Sequence, residues 1–165
     1  MAFEPAIARA DGPADDDRLA LFAGDALLIR AGAAELPRRA ELGALAAAET
    51  VHVGRLDGAA VETLRVDDAD ALPDGFELVP LRPLHGRLDE TAWAVAGRAF
   101  QLAEWDRTHR FCGVCGAPTE RQDDDRARVC TACAFRAYPR HSPAVIVLVT
   151  RGDEVLLGRS PRFPP

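Results

Sequence analysis

Apolar side chains recur at steps of three and four residues between Leu88 and Arg107, which is the spacing of one face of an α-helix. Asp89 can accept hydrogen bonds from free N–H groups at the start, and Arg107 places a positive charge in the last turn, where it is favourable. The pattern therefore predicts a helix whose aromatic-rich face packs into a core. The repeating positions are Ala92, Val95, Ala96, Ala99, Leu102 and Ala103.

Upstream of this helix the pattern changes to short runs of aliphatic and β-branched residues. Residues 25–30 predict one strand, and residues 50–56 and 59–66 predict two more. The last two flank an Asp-Gly dipeptide at positions 57–58, which is typical of a two-residue hairpin turn. Together these strands predict a small, mostly antiparallel β domain over residues 19–87.

Three stretches of the first half carry no strand pattern. Pro37 opens an Ala-rich stretch that favours a short helix, although Gly43 lowers its helix propensity. Residues 67–87 contain three prolines and are predicted to be irregular. Residues 1–18 are acidic and rich in turn-forming residues, which indicates a mobile leader.

The last apolar run of the chain covers residues 144–149 and is typical of a buried strand. A turn at 151–153 leads into a second run at 154–158, so the two runs predict a hairpin. A hairpin this apolar needs a sheet or a helix to cover it, and none follows within the 165 residues.

Length and composition narrow the class of protein. The 165 residues suffice for one or two small domains, and a hydrophobic content of 48% supports a packed core. The net charge of −6 argues against a general nucleic-acid-binding surface, which would be basic. No apolar run approaches the roughly 20 residues that span a bilayer, and no secretory signal is recognisable, so a cytoplasmic protein without a membrane partner is predicted.

All four cysteines of the chain lie in two Cys-x-x-Cys pairs that are separated by fourteen residues. A gap of two residues lets two thiolates on one tight turn face the same ion, and two such turns supply the tetrahedral shell of Zn²⁺, with Zn–S bonds of about 2.3 Å. Gly113 and Gly116 suit the first turn, whereas Ala134 replaces the second glycine and predicts a less regular second turn. Four protein ligands close the shell, so the metal is predicted to be structural. The predicted ligands are Cys112, Cys115, Cys130 and Cys133.

Three other chemistries can use the same cysteines. Disulfides require an oxidising compartment, which nothing in the sequence indicates. A redox-active Cys-x-x-Cys occurs as one motif on a thioredoxin-like unit, whereas this chain has two symmetric motifs. Iron fits a tetrahedral four-sulfur shell as zinc does, so the choice between the two metals stays open at this point.

Three polar features near these motifs have ordinary interpretations. His52 lies on a predicted strand and is interpreted as a half-buried histidine without a metal. His109 is close to Cys112, but four cysteines already fill the metal shell. The three aspartates at 123–125 are interpreted as the solvated tip of a hairpin.

Several short motifs follow one another in the second half of the chain and carry a family resemblance. They are Ala96-Gly97-Arg98, Gln101–Trp105, His109–Gly116, Cys130–Cys133, Tyr138–Arg140 and Pro143–Ile146. This series resembles the middle of the NADH pyrophosphatase family of Nudix hydrolases, which also remove NAD caps from RNA.

The resemblance implies an α+β fold and an order of domains. In that family a β-rich N-terminal domain leads by a helix into a four-cysteine zinc ribbon and then into the Nudix domain, and the protein is a homodimer. The implied segments are a mobile leader (1–18), the β-rich domain (19–87), the connecting helix (88–110), the zinc ribbon (111–137) and the first hairpin of a truncated Nudix domain (138–165).

The catalytic Nudix box of the family has no counterpart among the 165 residues. This box is a loop and a helix whose glutamates hold Mg²⁺ or Mn²⁺ against the pyrophosphate. Gly43 and Glu49 match its first spacing, but the dipeptide at 57–58 stands where arginine and glutamate are required. In the family the box follows a hairpin that ends near Arg159. The resemblance therefore implies the N-terminal half of an enzyme, which holds no catalytic residue and is inactive alone.

The resemblance also implies a substrate, which is NAD(H) or the NAD-capped end of an RNA, split by water into NMN(H) and AMP. Tyr138 matches a tyrosine that stacks on the nucleotide base, and packing at the domain junction is its other interpretation. Arg82 matches a substrate-binding arginine with an alignment slip of one residue, and Asp125 falls on an acidic position of the ribbon. Ile146 either lines the same pocket or belongs to a core strand.

Two other functions remain as hypotheses. One is a zinc ribbon that binds protein or nucleic acid without catalysis, and the other is a regulatory subunit that pairs with an intact copy. The missing box favours the first, whereas the acidic charge and the tip at 123–125 disfavour contact with phosphate.

Overall fold

A computed structural model of the protein describes residues 1–66, 72–140 and 142–162. Parts of the stretch predicted to be irregular and of the predicted start of a Nudix domain therefore lie outside the described residues.

The first half of the chain forms a six-stranded mixed sheet. Its strands are β1 (Phe3–Pro5), β2 (Arg18–Ala23), β3 (Ala26–Arg30), β4 (Val51–Leu56), β5 (Ala59–Arg65) and β6 (Phe76–Pro80). They lie in the order β1-β4-β5-β2-β3-β6. The central β2–β5 pair is parallel and the other neighbours are antiparallel, so the mostly antiparallel domain is confirmed with one parallel pair added.

The sequence pattern located β3, β4 and β5 but not the other three strands. The turn between β4 and β5 has φ values of 49° at Asp57 and 82° at Gly58, and the predicted hairpin turn requires both to be positive. Strand β2 escaped notice because the apolar side chains of residues 19–22 are all 0% exposed, so the run shows no alternation. Strand β6 pairs with β3 inside the stretch predicted to be irregular, and β1 pairs with β4 inside the predicted mobile leader.

Both faces of the sheet are covered, which explains why β2 is apolar on each side. One face carries Leu19, Leu21, Leu28 and Leu64, and Leu42 packs against it. Leu42 joins two short 3₁₀ helices, Arg39–Glu41 and Gly43–Ala47, which stand where the sequence predicts a single short helix. A third 3₁₀ helix, Arg82–Leu84, follows β6.

The other face packs against helix α1 (Glu90–Thr108), in close agreement with the predicted helix. The carboxylate of Asp89 accepts hydrogen bonds from the N–H groups of Thr91 (2.9 Å) and Ala92 (3.4 Å), which caps the helix as predicted. The ring of Phe100 meets that of Phe22 edge to face, with centroids 5.2 Å apart. The predicted apolar face is buried: Ala92, Val95, Ala96, Ala99, Leu102 and Ala103.

His52 is buried on β4, and its Nδ1 lies 2.9 Å from Oε1 of Glu62 on β5. The hydroxyl of Thr50 donates to the other oxygen of Glu62 at 2.9 Å. His52 therefore belongs to a polar contact inside the sheet, and it is more buried than the sequence interpretation expects.

After α1 the chain forms a small three-stranded antiparallel sheet. Its strands are β7 (Thr119–Arg121), β8 (Arg128–Cys130) and β9 (Arg136–Ala137). The Cys-x-x-Cys turns stand before β7 and after β8, so this sheet is the predicted ribbon. With the sheet and helix before it, the ribbon makes the fold α+β.

The apolar run at 144–149 differs from its prediction. Its residues form no strand and are exposed, and Ile146 is 102% exposed. Of the predicted hairpin only the end next to the turn forms, as β10 (Thr150–Arg151) and β11 (Glu154–Val155). The prediction of a buried strand is wrong for the described structure, because burial needs a covering element and β10 and β11 pair only with each other.

Helix α1 is the long helix of the described part of the chain, and neither it nor any other helix there has the length and apolar character to cross a membrane.

Candidate functional site

The four cysteine sulfurs converge on one point, with every pair within 4.8 Å. The Sγ–Sγ distances are 3.6 Å for Cys112–Cys133, 3.4 Å for Cys115–Cys130 and 3.5 Å for Cys115–Cys133. Thiolates at the corners of a tetrahedron with Zn–S bonds of about 2.3 Å would be separated by about 3.8 Å. The four side chains therefore fit one tetrahedral ion, and all four cysteines are free of disulfides.

The two turns that carry the cysteines have the same backbone form. In the first, the N–H of Gly116 donates to the carbonyl of Cys112 at 2.9 Å, and in the second the N–H of Ala134 donates to that of Cys130 at 3.2 Å. Their φ values are 76° at Gly116 and 59° at Ala134. The prediction of a less regular second turn is wrong, because Ala134 adopts the left-handed conformation of glycine. Gly113, which was expected to share that conformation, does not.

Because Ala134 adopts a left-handed conformation, we predict that Ala134→Gly increases the zinc affinity of the site. An L-residue in this conformation costs about 1–2 kcal/mol, and the backbone entropy of glycine offsets about half of that gain. We expect the free energy of zinc binding to improve by up to about 1 kcal/mol, or about fivefold in affinity, because metal binding and ribbon folding are coupled. Titration against a competing chelator measures the affinity.

The matched control for this prediction is Ala132→Gly in the same turn, where φ is not positive. That change adds only the entropy of glycine and should weaken zinc binding slightly. Equal effects of the two substitutions would contradict the role of the left-handed conformation.

Backbone N–H groups and neighbouring thiols shift the pKa values of the cysteines in different directions. The N–H groups of Cys133 and Ala132 both lie 3.4 Å from Sγ of Cys130, and they lower the pKa of that thiol to about 6. The N–H of Phe135 acts to lower the pKa of Cys133, but hydrogen bonds with Cys115 and Cys130 outweigh it and raise the pKa to about 12. A bound cation is therefore needed to keep all four sulfurs deprotonated.

A buried aspartate joins the end of α1 to the ribbon. Asp106 is 5% exposed, and Arg121 donates to both its oxygens at 2.6 Å. Arg128 donates to Oδ1 of the same carboxylate at 2.5 Å. Burial by itself raises the pKa of Asp106, but the two guanidinium groups outweigh it and hold the pKa below its usual value. We call Asp106, Arg121 and Arg128 the aspartate clasp.

Backbone carbonyls in the six-stranded sheet and at the ends of its strands also bind the ribbon. Arg121 donates to the carbonyl of Thr50 at 2.9 Å, and Arg126 donates to that of His52 at 2.8 Å. A second nitrogen of Arg126 donates to the carbonyl of Ala6. The ribbon is thus attached to both the sheet and α1, which fixes the position of β9 and of Tyr138 after it.

The structure brings together two of the four predicted substrate-binding residues. The hydroxyl of Tyr138 donates to Oδ2 of Asp125 at 2.9 Å, and the tyrosine is 48% exposed. Arg82 lies elsewhere, exposed in the 3₁₀ helix near the start of α1, where the indole of Trp93 donates to the carbonyl of Leu81. Ile146 is exposed in the segment without a strand.

A groove of about 470 Å³ lies beside Tyr138, between the second half of α1 and the ribbon. Its basic residues were not among the predicted site residues. The available signal was the spacing of Arg98, Gln101 and Trp105, which places three large side chains on one side of the helix. The lining of the groove includes Arg98, Trp105, Arg126, Tyr138 and Arg140.

Comparison with known proteins matches both halves of this arrangement. The family model of an NADH pyrophosphatase-like rudimentary NUDIX domain matches residues 16–105, and that of an NADH pyrophosphatase zinc ribbon domain matches residues 107–138. The second match favours zinc over iron for the four cysteines. The first match adds that the N-terminal sheet and helix are themselves NUDIX-like, which the sequence analysis did not state.

Curated relatives carry the name NAD-capped RNA hydrolase NudC. The protein of Pseudomonas aeruginosa is 46% identical over 133 residues, which are 79% of this chain and 44% of the relative. That of Pseudomonas fluorescens Pf-5 is 45% identical over 111 residues, or 67% of this chain and 40% of the relative. That of Deinococcus radiodurans is 39% identical over 157 residues, or 93% and 54%. The chain spans about half the length of the curated relatives it matches.

Proposed function

The chain belongs to the NADH pyrophosphatase family of Nudix proteins, and on that basis we propose that it is the N-terminal and zinc-ribbon part of an enzyme that hydrolyses the pyrophosphate of NAD(H). Water splits the pyrophosphate bond of NAD(H) and gives NMN(H) and AMP. The same pyrophosphate bond in the NAD cap of an RNA is the second proposed target. The observation that carries the proposal is the succession of a rudimentary NUDIX domain and a four-cysteine ribbon in one chain.

In this proposal the chain positions the substrate. The metal holds the ribbon, the aspartate clasp holds the ribbon on α1, and Asp125 holds the hydroxyl of Tyr138. A ring fixed at its hydroxyl and half exposed can offer a face to a nucleotide base. Tyr138 and Asp125 are therefore proposed as substrate-side residues, while Arg82 and Ile146 keep only the support of the resemblance.

The catalytic cation of the family does not fit the residues at hand. Mg²⁺ and Mn²⁺ prefer oxygen ligands, and the four thiolates are soft ligands in a closed shell. Over the ranges that the structure describes, the cysteines are the one group of three or more His, Cys, Asp or Glu side chains that converges as metal ligands do. We therefore assign no hydrolytic step to this chain and propose that it is inactive alone, the catalytic carboxylates coming from a part of the relatives that it does not span.

A chimera tests the proposed function. The matched part of this chain replaces the matched 133 residues of the Pseudomonas aeruginosa relative, and release of AMP from NADH is measured with Mg²⁺ present. We expect the chimera to be active and this chain alone to be inactive. A chimera that folds and holds zinc but does not cleave NADH, beside an active parent relative, would contradict the proposal, as would turnover by this chain alone.

In the chimera, Tyr138→Ala is expected to raise KM for NADH about tenfold, because a stacked base contributes about 1–3 kcal/mol. The matched variant Tyr138→Phe keeps the ring and loses only the hydrogen bond to Asp125, so its KM should change much less. Steady-state kinetics of both variants measure the difference. Unchanged KM in Tyr138→Ala would favour the interpretation as a packing residue.

We also propose a homodimer as the working form, which the resemblance implies, and a cytoplasmic location, which the sequence pattern predicts. Sedimentation of the zinc-loaded chimera measures its oligomeric state.

An inactive, zinc-loaded chimera that still binds RNA or protein would favour the alternative of a non-catalytic or regulatory ribbon.

A further inference from the structure

The groove beside Tyr138 is lined by three arginines and one carboxylate, that of Glu104, so it holds an excess of positive charge. Arg98 lies on α1, and its Nε is buried without a hydrogen-bond partner. Arg126 lies on the ribbon, and its guanidinium donates to two backbone carbonyls, which carry no net charge. Within the described part of the chain, no carboxylate forms an ion pair with either arginine.

The two guanidinium groups also repel each other. Burial lowers the pKa of Arg126, and the nearby charge of Arg98 lowers it further. Two like charges that face one half-buried groove are unfavourable unless an anion joins them. Arg140 lines the same groove and adds a third positive charge there.

The acidic groups near the groove already have partners. Glu104 lies 2.9 Å from Arg65 and 2.6 Å from Arg107. Asp125 accepts the hydroxyl of Tyr138 and lies 3.8 Å from Arg136. The excess positive charge of the groove is therefore not neutralised locally, in a chain whose net charge is −6.

We propose that Arg98 and Arg126 form a binding site for a phosphate group of the nucleotide substrate. Guanidinium groups bind phosphate oxygens with charge-assisted and often bidentate hydrogen bonds. Tyr138 lines the same groove and is 48% exposed, and an exposed aromatic ring beside arginines is an arrangement that holds nucleotides by stacking and charge together.

This inference deepens the proposed function and rests on it for the identity of the ligand. The phosphate is either the pyrophosphate of NAD(H) itself or a phosphodiester of the RNA that follows an NAD cap. Both present the same oxygens to the arginines, so a binding experiment has to separate the two sources.

The experiment measures binding of two probes to the zinc-loaded 165-residue chain, namely NAD and a short RNA that has a 5′-hydroxyl and only phosphodiesters. In Arg98→Gln we expect about tenfold weaker binding of at least one probe, because a charge-assisted hydrogen bond is lost. The slope of log affinity against log salt for the RNA should fall by about one if a phosphodiester is the ligand. Arg98→Lys keeps the charge and should recover part of the affinity.

Arg151→Gln is the matched control, since it removes the same charge from the exposed turn of β10–β11, where Arg151 pairs with Glu154. Weaker binding of NAD alone assigns the phosphate to the pyrophosphate, and weaker binding of RNA alone assigns it to the phosphodiester. Unchanged binding of both probes in Arg98→Gln, or an equal loss in Arg151→Gln, overturns the proposal.

The melting temperature and zinc content of Arg98→Gln check that the variant folds, which we expect because the buried Nε has no hydrogen bond to lose. The proposal and the proposed function fail separately. An inactive chimera would leave the binding result standing, whereas an active chimera with unchanged binding in Arg98→Gln would refute only the phosphate site.

Discussion

Cys130→Ser is expected to abolish zinc binding and unfold the ribbon while leaving the six-stranded sheet and α1 folded. The ribbon has little apolar core of its own, because its strands are two or three residues long and Phe111, Val114 and Phe135 are exposed. A structural zinc site contributes about 10–16 kcal/mol in small ribbons at neutral pH, which exceeds what so small a sheet can supply. The sheet and helix keep an apolar core of their own.

Metal analysis and limited proteolysis measure this outcome. We expect the zinc content to fall from one ion per chain to none, with new cleavage sites between residues 111 and 137. Ala132→Ser introduces the same hydroxyl in the same turn without removing a ligand and should behave as wild type. A Cys130→Ser variant that keeps its zinc and its resistance to protease would contradict a structural metal.

Asp106→Asn is expected to cost about 3 kcal/mol of stability, because it leaves the buried Arg128 without a carboxylate and Arg121 with only the exposed Glu49 as an ion-pair partner. Glu104→Gln is the matched control on the same helix. Its carboxylate is partly exposed and pairs mainly at the surface, so its loss should cost less than about 1 kcal/mol. Chemical denaturation of the zinc-loaded chain gives both values.

The clasp also predicts a dependence on pH. The pKa of Asp106 is lower in the folded protein than in the unfolded chain, so its contribution is complete above the unfolded value of about 3.9. As pH falls through the lower folded pKa, that contribution is lost. The stability difference between wild type and Asp106→Asn should therefore shrink below about pH 4. A difference that stays constant to lower pH would show that the carboxylate acts by shape and not by charge.

The features that the sequence predicted correctly all depend on neighbouring residues. The cap at Asp89, the turn at Asp57 and the two cysteine pairs each need only a few adjacent positions to be recognised. Local chemistry decides these structures, so a pattern within a few residues is enough.

The features that it missed depend on distant partners. The parallel β2–β5 pair joins strands that are far apart in the chain, and no local pattern marks it. Asp106 meets Arg121 and Arg128 at separations of 15 and 22 residues, so its burial could not be read from the helix alone. The prediction of a buried strand at 144–149 was wrong for a related reason. The apolar character of these residues is visible locally, but their burial depends on a covering element elsewhere.

The contacts of Arg126 have a consequence for the order of folding. Its partners Ala6 and His52 are 120 and 74 residues away, so these hydrogen bonds close very long loops of the chain. Closing such loops costs entropy that only prior structure can repay. We therefore expect the bond from Arg126 to Ala6, next to strand β1 at the edge of the sheet, to form only after the ribbon has settled on the sheet.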